Sequence, residues 1–120
     1  MLLKTTADRG KLVAAIQIKV ASLQNAEEFK LEMITQLNKG YHEVILSFKE
    51  VEYIDSSFLG ALVSSLKHAL LLKGDIILTD LKKDIFDLLC LIRMNKVFKI
   101  YKTKEEAFGK LTQNATGLQV

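Results

Sequence analysis

The chain has 120 residues, 49% of them hydrophobic, which suits one compact domain with its own core and leaves too little for a second. Its 17 Lys and Arg against 14 Asp and Glu are scattered instead of gathered into a basic block, and Trp is absent, so nucleic acid is not an expected partner. The single cysteine, Cys90, excludes an internal disulfide, no apolar stretch reaches membrane-spanning length, and no secretory signal pattern is present, so a cytoplasmic protein without an integral membrane segment is expected.

Residues 2–7 and 11–18 are rich in strand formers and flank Asp8-Arg9-Gly10, a turn signal, so the chain opens on an antiparallel hairpin. Asn25 precedes a helical pattern in which Ala26, Phe29, Met33 and Leu37 share a face; two early glutamates suit a helix N-terminus and Gly40 stands where a C-cap belongs. Residues 41–48 carry Val44, Ile45, Leu46 and Phe48 almost without polar relief, the pattern of a central strand covered on both faces. After Asp55-Ser56-Ser57 a second helix runs to about Lys73, with Leu59, Leu62, Val63, Leu66 and Ala69 on one stripe and Gly74 as its stop. Off that stripe, most of Ala61, Leu71 and Leu72 are expected in the core. Residues 75–81 form a further strand, and Asp80 is placed to cap a third helix whose buried face recurs at Leu81, Ile85, Leu88, Leu89 and Ile92. Residues 97–101 give a last short strand, and Thr103 with Glu106 makes a capping box that opens a final helix.

The order β-β-α-β-α-β-α-β-α predicts an α/β fold: a mixed sheet of about five strands, with an N-terminal antiparallel hairpin and then parallel crossovers, and about four helices. Residues 1–111 are expected to form a single domain and residues 112–120 a flexible tail.

Sites on such sheets gather at the carboxyl ends of strands, and Asp55-Ser56-Ser57 occupies a strand-to-helix corner of that kind. It makes a poor nucleophile site. His42 opens the preceding strand and His68 lies about three turns into the second helix, so neither is spaced to serve as a base, and of the glycines that flank a nucleophile elbow only Gly60 is near. There is no phosphate-cradling glycine loop and no zinc-ligand spacing, and Glu50, Glu52 and Asp55 read as solvated carboxylates. No catalytic residue, cofactor or metal is therefore assigned. What fits the triplet is an N-cap for the second helix, and with it a favourable place for an added phosphate: the free amides and the positive end of the helix dipole would stabilise a phosphoserine, whose charge would change what a partner surface meets.

From "YHEVILSF" through "VEYIDSSFLGALV" to "IILTDLKKDIFDLLCLIRMNKVFKIYKTKEEAF", the chain resembles the STAS domains, in particular the stand-alone bacterial anti-sigma factor antagonists. In that family an apolar strand leads into Asp-Ser-Ser/Thr-Gly-Leu-Gly at the start of a helix. The resemblance implies a STAS-like fold and a non-enzymatic regulator that switches partners. The unphosphorylated antagonist binds an anti-sigma factor that is also a serine kinase, which frees a sigma factor; phosphorylation then releases the antagonist, and a serine phosphatase reverses the mark. ATP belongs to the kinase, so the chain needs no cofactor. The implied phosphoacceptor is Ser56, directly after the aspartate, and the implied partner contacts are Asp55, Ser57, Phe58 and Ser22. Two of these depart from the family pattern. Phe58 replaces the usual glycine and is expected to stand exposed on the first turn as an anchor for a partner, while Ser22 stands where the family often has an aspartate before the first helix. The alternative implied by the same resemblance is a STAS interaction subunit of another signalling or transport assembly, in which the triplet caps the helix and carries no switch.

Overall fold

The structure, a computed structural model, describes the backbone of residues 1–115 and the side chains of residues 1–109. Strands β1 (Leu3–Asp8) and β2 (Lys11–Ile16) pair antiparallel around a two-residue turn in which Arg9 and Gly10 take φ of 51° and 80°. Two successive left-handed residues match the twist of the flanking strands, and the larger excursion falls on the glycine. The chain continues through β3 (Val20–Ala21), α1 (Leu23–Asn38), β4 (Glu43–Ser47), β5 (Tyr53–Ile54), α2 (Ser56–Leu71), β6 (Asp75–Thr79), α3 (Lys83–Leu91), a 3-10 turn at Met94–Lys96, β7 (Lys99–Tyr101) and α4 (Lys104–Ala115).

The main sheet runs β1-β2-β4-β6-β7, antiparallel in the hairpin and parallel from β2 onward, so the mixed five-stranded sheet and the four expected helices are present. On one face Val44, Leu46, Ile76 and Leu78 meet Phe29, Met33 and Leu37 of α1, Leu62 and Leu66 of α2, and Ile85 and Leu89 of α3. On the other face Ile45 and Ile77 lie under Ala107 and Phe108 of α4. Burial on both faces explains why β4 reads as an unbroken apolar run.

The hairpin tip fastens α4 in place. The Arg9 guanidinium sits 3.7 Å from the centroid of the Phe108 ring, pairs with Glu105 at 3.3 Å, and donates from Nε to Asp8 at 3.0 Å. That hydrogen bond, with Lys104 nearby, holds the Asp8 carboxyl below its ordinary value. At the start of α4, Glu106 N donates to Thr103 Oγ1 at 3.0 Å, and the Glu106 carboxylate accepts from Lys102 N at 3.0 Å. The expected capping box thus forms with its return bond one residue earlier.

Several boundaries differ from the sequence reading. Helix α1 starts at Leu23, because Ser22 is the N-cap and Asn25 supplies the returning side chain of a capping box. Asp80 does not cap α3. It takes φ of 60°, and its carboxylate accepts from Ser47 Oγ at 2.9 Å and Thr79 Oγ1 at 3.0 Å, tying together the ends of β4 and β6. Helix α3 begins at Lys83 after an N-cap, Lys82, with no side-chain bond. Its nine residues make about two and a half turns, enough for a stripe of Ile85 and Leu89, while Leu88 and Ile92 are exposed. Helix α4 continues to Ala115, past the expected domain boundary at 111, and residues 116–120 of the expected tail lie outside the described residues.

The turn after α2 uses its two last residues differently from the expected glycine stop. Lys73 is the left-handed residue, with φ of 63°, whereas Gly74 is required for space: a Cβ there would lie 1.8 Å from the carbonyl oxygen of His42.

Candidate functional site

A second, two-stranded sheet brings the candidate residues Ser22, Asp55, Ser56 and Ser57 to neighbouring helix starts. Val20 and Ala21 of β3 pair in parallel with Tyr53 and Ile54 of β5, and each strand runs directly into a helix, β3 through Ser22 into α1 and β5 through Asp55 into α2. Asp55 N extends the pairing by donating to Ala21 O at 3.0 Å. The N-termini of α1 and α2 are thereby set side by side.

The first turn of any helix leaves backbone N–H groups without partners, and a carboxylate can accept at both oxygens. Asp55 uses both. Its Oδ1 accepts from Phe58 N at 2.9 Å, which caps α2, and its Oδ2 accepts from Leu23 N at 3.0 Å, the first residue of α1. Ser22 completes the α1 cap, its Oγ accepting from Gln24 N at 3.4 Å and its own N–H donating to Asn25 Oδ1 at 2.8 Å. Among the three residues open to the capping role, Asp55 is the one that fills it. The hydroxyls of Ser56 and Ser57 make no hydrogen bond among the described residues.

Ser56 is exposed as the first residue of α2. Ser57 is half-buried and faces a shallow groove of about 340 Å³ between the two helices, walled by Leu23, Glu27 and Lys30 of α1 and by Ala61 and Ser64 of α2. Asp55→Ala is expected to lower stability by about 1–2 kcal/mol in urea unfolding, the loss typical of an N-cap, with Asp55→Asn retaining part of it.

Phe58 is not the exposed anchor expected from the sequence. It is fully buried, its ring centroid 4.6 Å from that of Phe29 across the α1–α2 interface. The physical reason is helical phase: Phe58 shares a face with Leu62, Ser65 and Ala69, all buried, which turns the burial stripe away from Leu59 and Val63, both half-exposed. Ser65 is admitted to this stripe because its hydroxyl donates to Ala61 O at 2.9 Å. Ala61 is core as expected, Leu72 is half-buried, and Leu71 is 82% exposed.

Exposed apolar side chains also stand on the elements that lead into α1 and α2, at positions not expected from the sequence. Val20 and Tyr53, a cross-strand pair in the small sheet, are 53% and 55% exposed, and Leu23 is 71% exposed. The available signal was the two-residue alternation that buries Ala21 and Ile54 and turns Val20 and Tyr53 outward.

The histidines stand apart from the serines. His42 is exposed, and His68, in the last turn of α2, lies with Nε2 2.8 Å from Asn38 Oδ1. Among the described residues no group of three or more His, Cys, Asp or Glu is arranged to hold a metal, and no helix is long and apolar enough to cross a membrane.

Comparison with known proteins agrees with this architecture. The STAS domain profile matches residues 21–107, which take in both helix starts of the site. A candidate anti-sigma factor antagonist of Thermotoga maritima is 34% identical over 94 residues, spanning 78% of this chain and 83% of that protein. The crystal structure of a candidate anti-sigma factor antagonist from the same organism superposes with a TM-score of 0.80 at 28% identity, covering 90% of this chain and 92% of the other. The anti-sigma factor antagonist SpoIIAA of Bacillus, solved in unphosphorylated and phosphorylated forms, superposes with TM-scores of 0.70 and 0.68. Those two superpositions cover 92% and 91% of this chain and 97% and 98% of SpoIIAA; at 16% identity the likeness is one of fold. The chain belongs to the STAS domain family, in its anti-sigma factor antagonist branch.

Proposed function

We propose that the chain is a non-enzymatic regulator that acts by partner switching in the cytoplasm. With Ser56 unmodified it binds an anti-sigma factor that carries serine kinase activity; that kinase phosphorylates Ser56, the modified chain dissociates, and a serine phosphatase restores it. The observation that carries this reading is the free hydroxyl of Ser56, exposed on the first turn of α2 because Asp55 has taken over the capping bond. A kinase can reach it without dismantling the helix. Once added, a phosphate is stabilised by the α2 dipole and the first-turn amides, yet its charge of roughly −2 stands beside Asp55 in a rim of exposed apolar side chains. Burying Val20, Leu23 and Tyr53 against a partner then requires desolvating that charge, which opposes binding. The existence of SpoIIAA in both an unphosphorylated and a phosphorylated form supports the same reading. In it the partner meets Asp55, Ser57 and Ser22 together with the exposed apolar rim, and Phe58 supports the surface from beneath.

The test is to isolate the protein from cells under several growth conditions, map its phosphate by mass spectrometry and identify what co-purifies. Phosphate is expected on Ser56, and the unmodified form is expected to bring down a protein with a serine kinase domain. Ser56→Asp should weaken that complex at least about tenfold, a change of about 1.4 kcal/mol. Ser56→Ala should bind but resist release by ATP. Absence of phosphate on Ser56 under every condition, with Ser56→Asp binding unchanged, would instead favour a STAS subunit of another assembly without a switch.

A further inference from the structure

We propose that the open side of β7 is a second binding edge, which takes an extended acidic segment of a partner protein as a sixth strand of the main sheet. Among the described residues the sheet ends at β7, which pairs with β6 alone, so the outward backbone groups of Lys99–Tyr101 have no described strand beside them. The opposite edge differs: at the start of β1 the Glu32 carboxylate accepts from Leu2 N at 2.8 Å and Leu3 N at 3.1 Å, so its first donors are already engaged.

Two adjoining grooves of about 480 Å³ each run along β7 and share Phe86, Ile100 and Tyr101, forming one trough from the Met94–Lys96 turn to the first turn of α4. Ile100 packs toward the α1–α3 face and Tyr101 toward the α4 face, so an added strand would find apolar walls for side chains on both of its sides. Phe86 and Val97, 39% and 46% exposed, are the side chains it would cover.

Charge selects the occupant. Lys83, Lys96, Lys99 and Lys102 line the trough against one acid, Glu106, whose carboxylate accepts from Lys102 N. Lys83 and Lys99 are paired with Asp87 at 2.7 Å and Asp75 at 3.0 Å, while Lys96 and Lys102 form no ion pair among the described residues. A second copy of this chain laid antiparallel on β7, with Ile100 opposite Ile100, would set Lys99 against Tyr101 and bring two lysine-rich edges together; a segment alternating acidic and apolar residues satisfies both the charges and the walls. The trough shares no lining residue with the groove at Ser57, so the two are separate surfaces.

The test titrates the whole chain with a fluorescent synthetic peptide alternating Glu and Val, and with one alternating Lys and Val, by anisotropy, followed by amide hydrogen exchange. The Glu-Val peptide is expected to bind saturably and to slow exchange in Lys99–Tyr101. Paired Lys96→Glu and Lys102→Glu changes on the exposed rim should weaken it at least tenfold while leaving the amide spectrum folded, and Ser56→Asp should leave it unchanged. Failure to saturate, equal binding of the Lys-Val peptide, or undiminished binding to the charge variant would overturn the proposal. A concentration-dependent dimer with β7 protected would also overturn it, by assigning the edge to a second copy.

Discussion

A Phe58→Ala protein is expected to lose about 3–5 kcal/mol of stability, the range for deleting a fully buried aromatic side chain. Total stabilities of such domains are only about 5–15 kcal/mol, so the loss should be visible as a large fall in the urea midpoint. The cavity would open between α1 and α2, where the Phe58 ring lies with its centroid 4.6 Å from that of Phe29. Phe58→Gly, which restores the residue usual in the family, should be worse by about 1 kcal/mol because glycine is the poorer helix residue. The functional readout discriminates further. Phe58 contributes no exposed surface, so the folded fraction of Phe58→Ala should bind its partner within a few-fold of the parent. Normal stability together with lost binding would return Phe58 to the contact surface and overturn its role as internal support.

Gly74→Ala should be of comparable severity for a different reason. A methyl group at that position would stand 1.8 Å from His42 O and 2.5 Å from His42 C, atoms of a backbone segment that cannot swing aside as a side chain can. The same carbonyl accepts from Asp75 N at 2.9 Å, so displacing it also breaks the junction that starts β6 beside β4. A loss of about 3 kcal/mol or more is expected, at the upper end of overpacking changes. The neighbouring residue supplies the control. Lys73 is the one with a left-handed backbone, so Lys73→Gly should be neutral or stabilising by up to about 1 kcal/mol. If Gly74→Ala unfolds at the parent's urea concentration, the close approach to His42 does not exist in solution.

Where the chain buries everything, its sequence is easy to read. The run Val44-Ile45-Leu46 could only be a strand covered on both sides, and Ala26, Phe29, Met33 and Leu37 could only be one face of a helix. Helix α2 is the opposite case. Apolar residues occur on almost every side of it, so periodicity alone offers several phases, and the one adopted sets Phe58 against the Phe29 ring of α1. The small sheet is harder to read, because each of its two-residue strands carries a single alternation; β3 and β5 exist through their pairing with each other. The strand-to-helix corner that carries Ser56 was legible from its place after a strand and before an apolar helix. Its wiring was not, since the bond from Leu23 N to Asp55 joins residues 32 positions apart and no local motif encodes it. Asp80 misled for a related reason: an aspartate ahead of a helix signals a cap, but here two hydroxyls at the ends of β4 and β6 claim its carboxylate.

The latch from Arg9 to α4 bears on how the protein is born. Arg9 and Glu105 are separated by 96 positions, so the turn between β1 and β2 cannot be fastened until α4 has been synthesised. Until α4 emerges, Ile45 and Ile77 in the middle of the sheet lack the cover of Ala107 and Phe108, so a nascent chain that has already paired β4 with β6 carries a partly uncovered apolar face. The hairpin can form early from local contacts, but that face is sealed only once α4 has been made, so the interval vulnerable to aggregation runs from the pairing of β4 with β6 to the docking of α4 and gives chaperones a defined surface to shield.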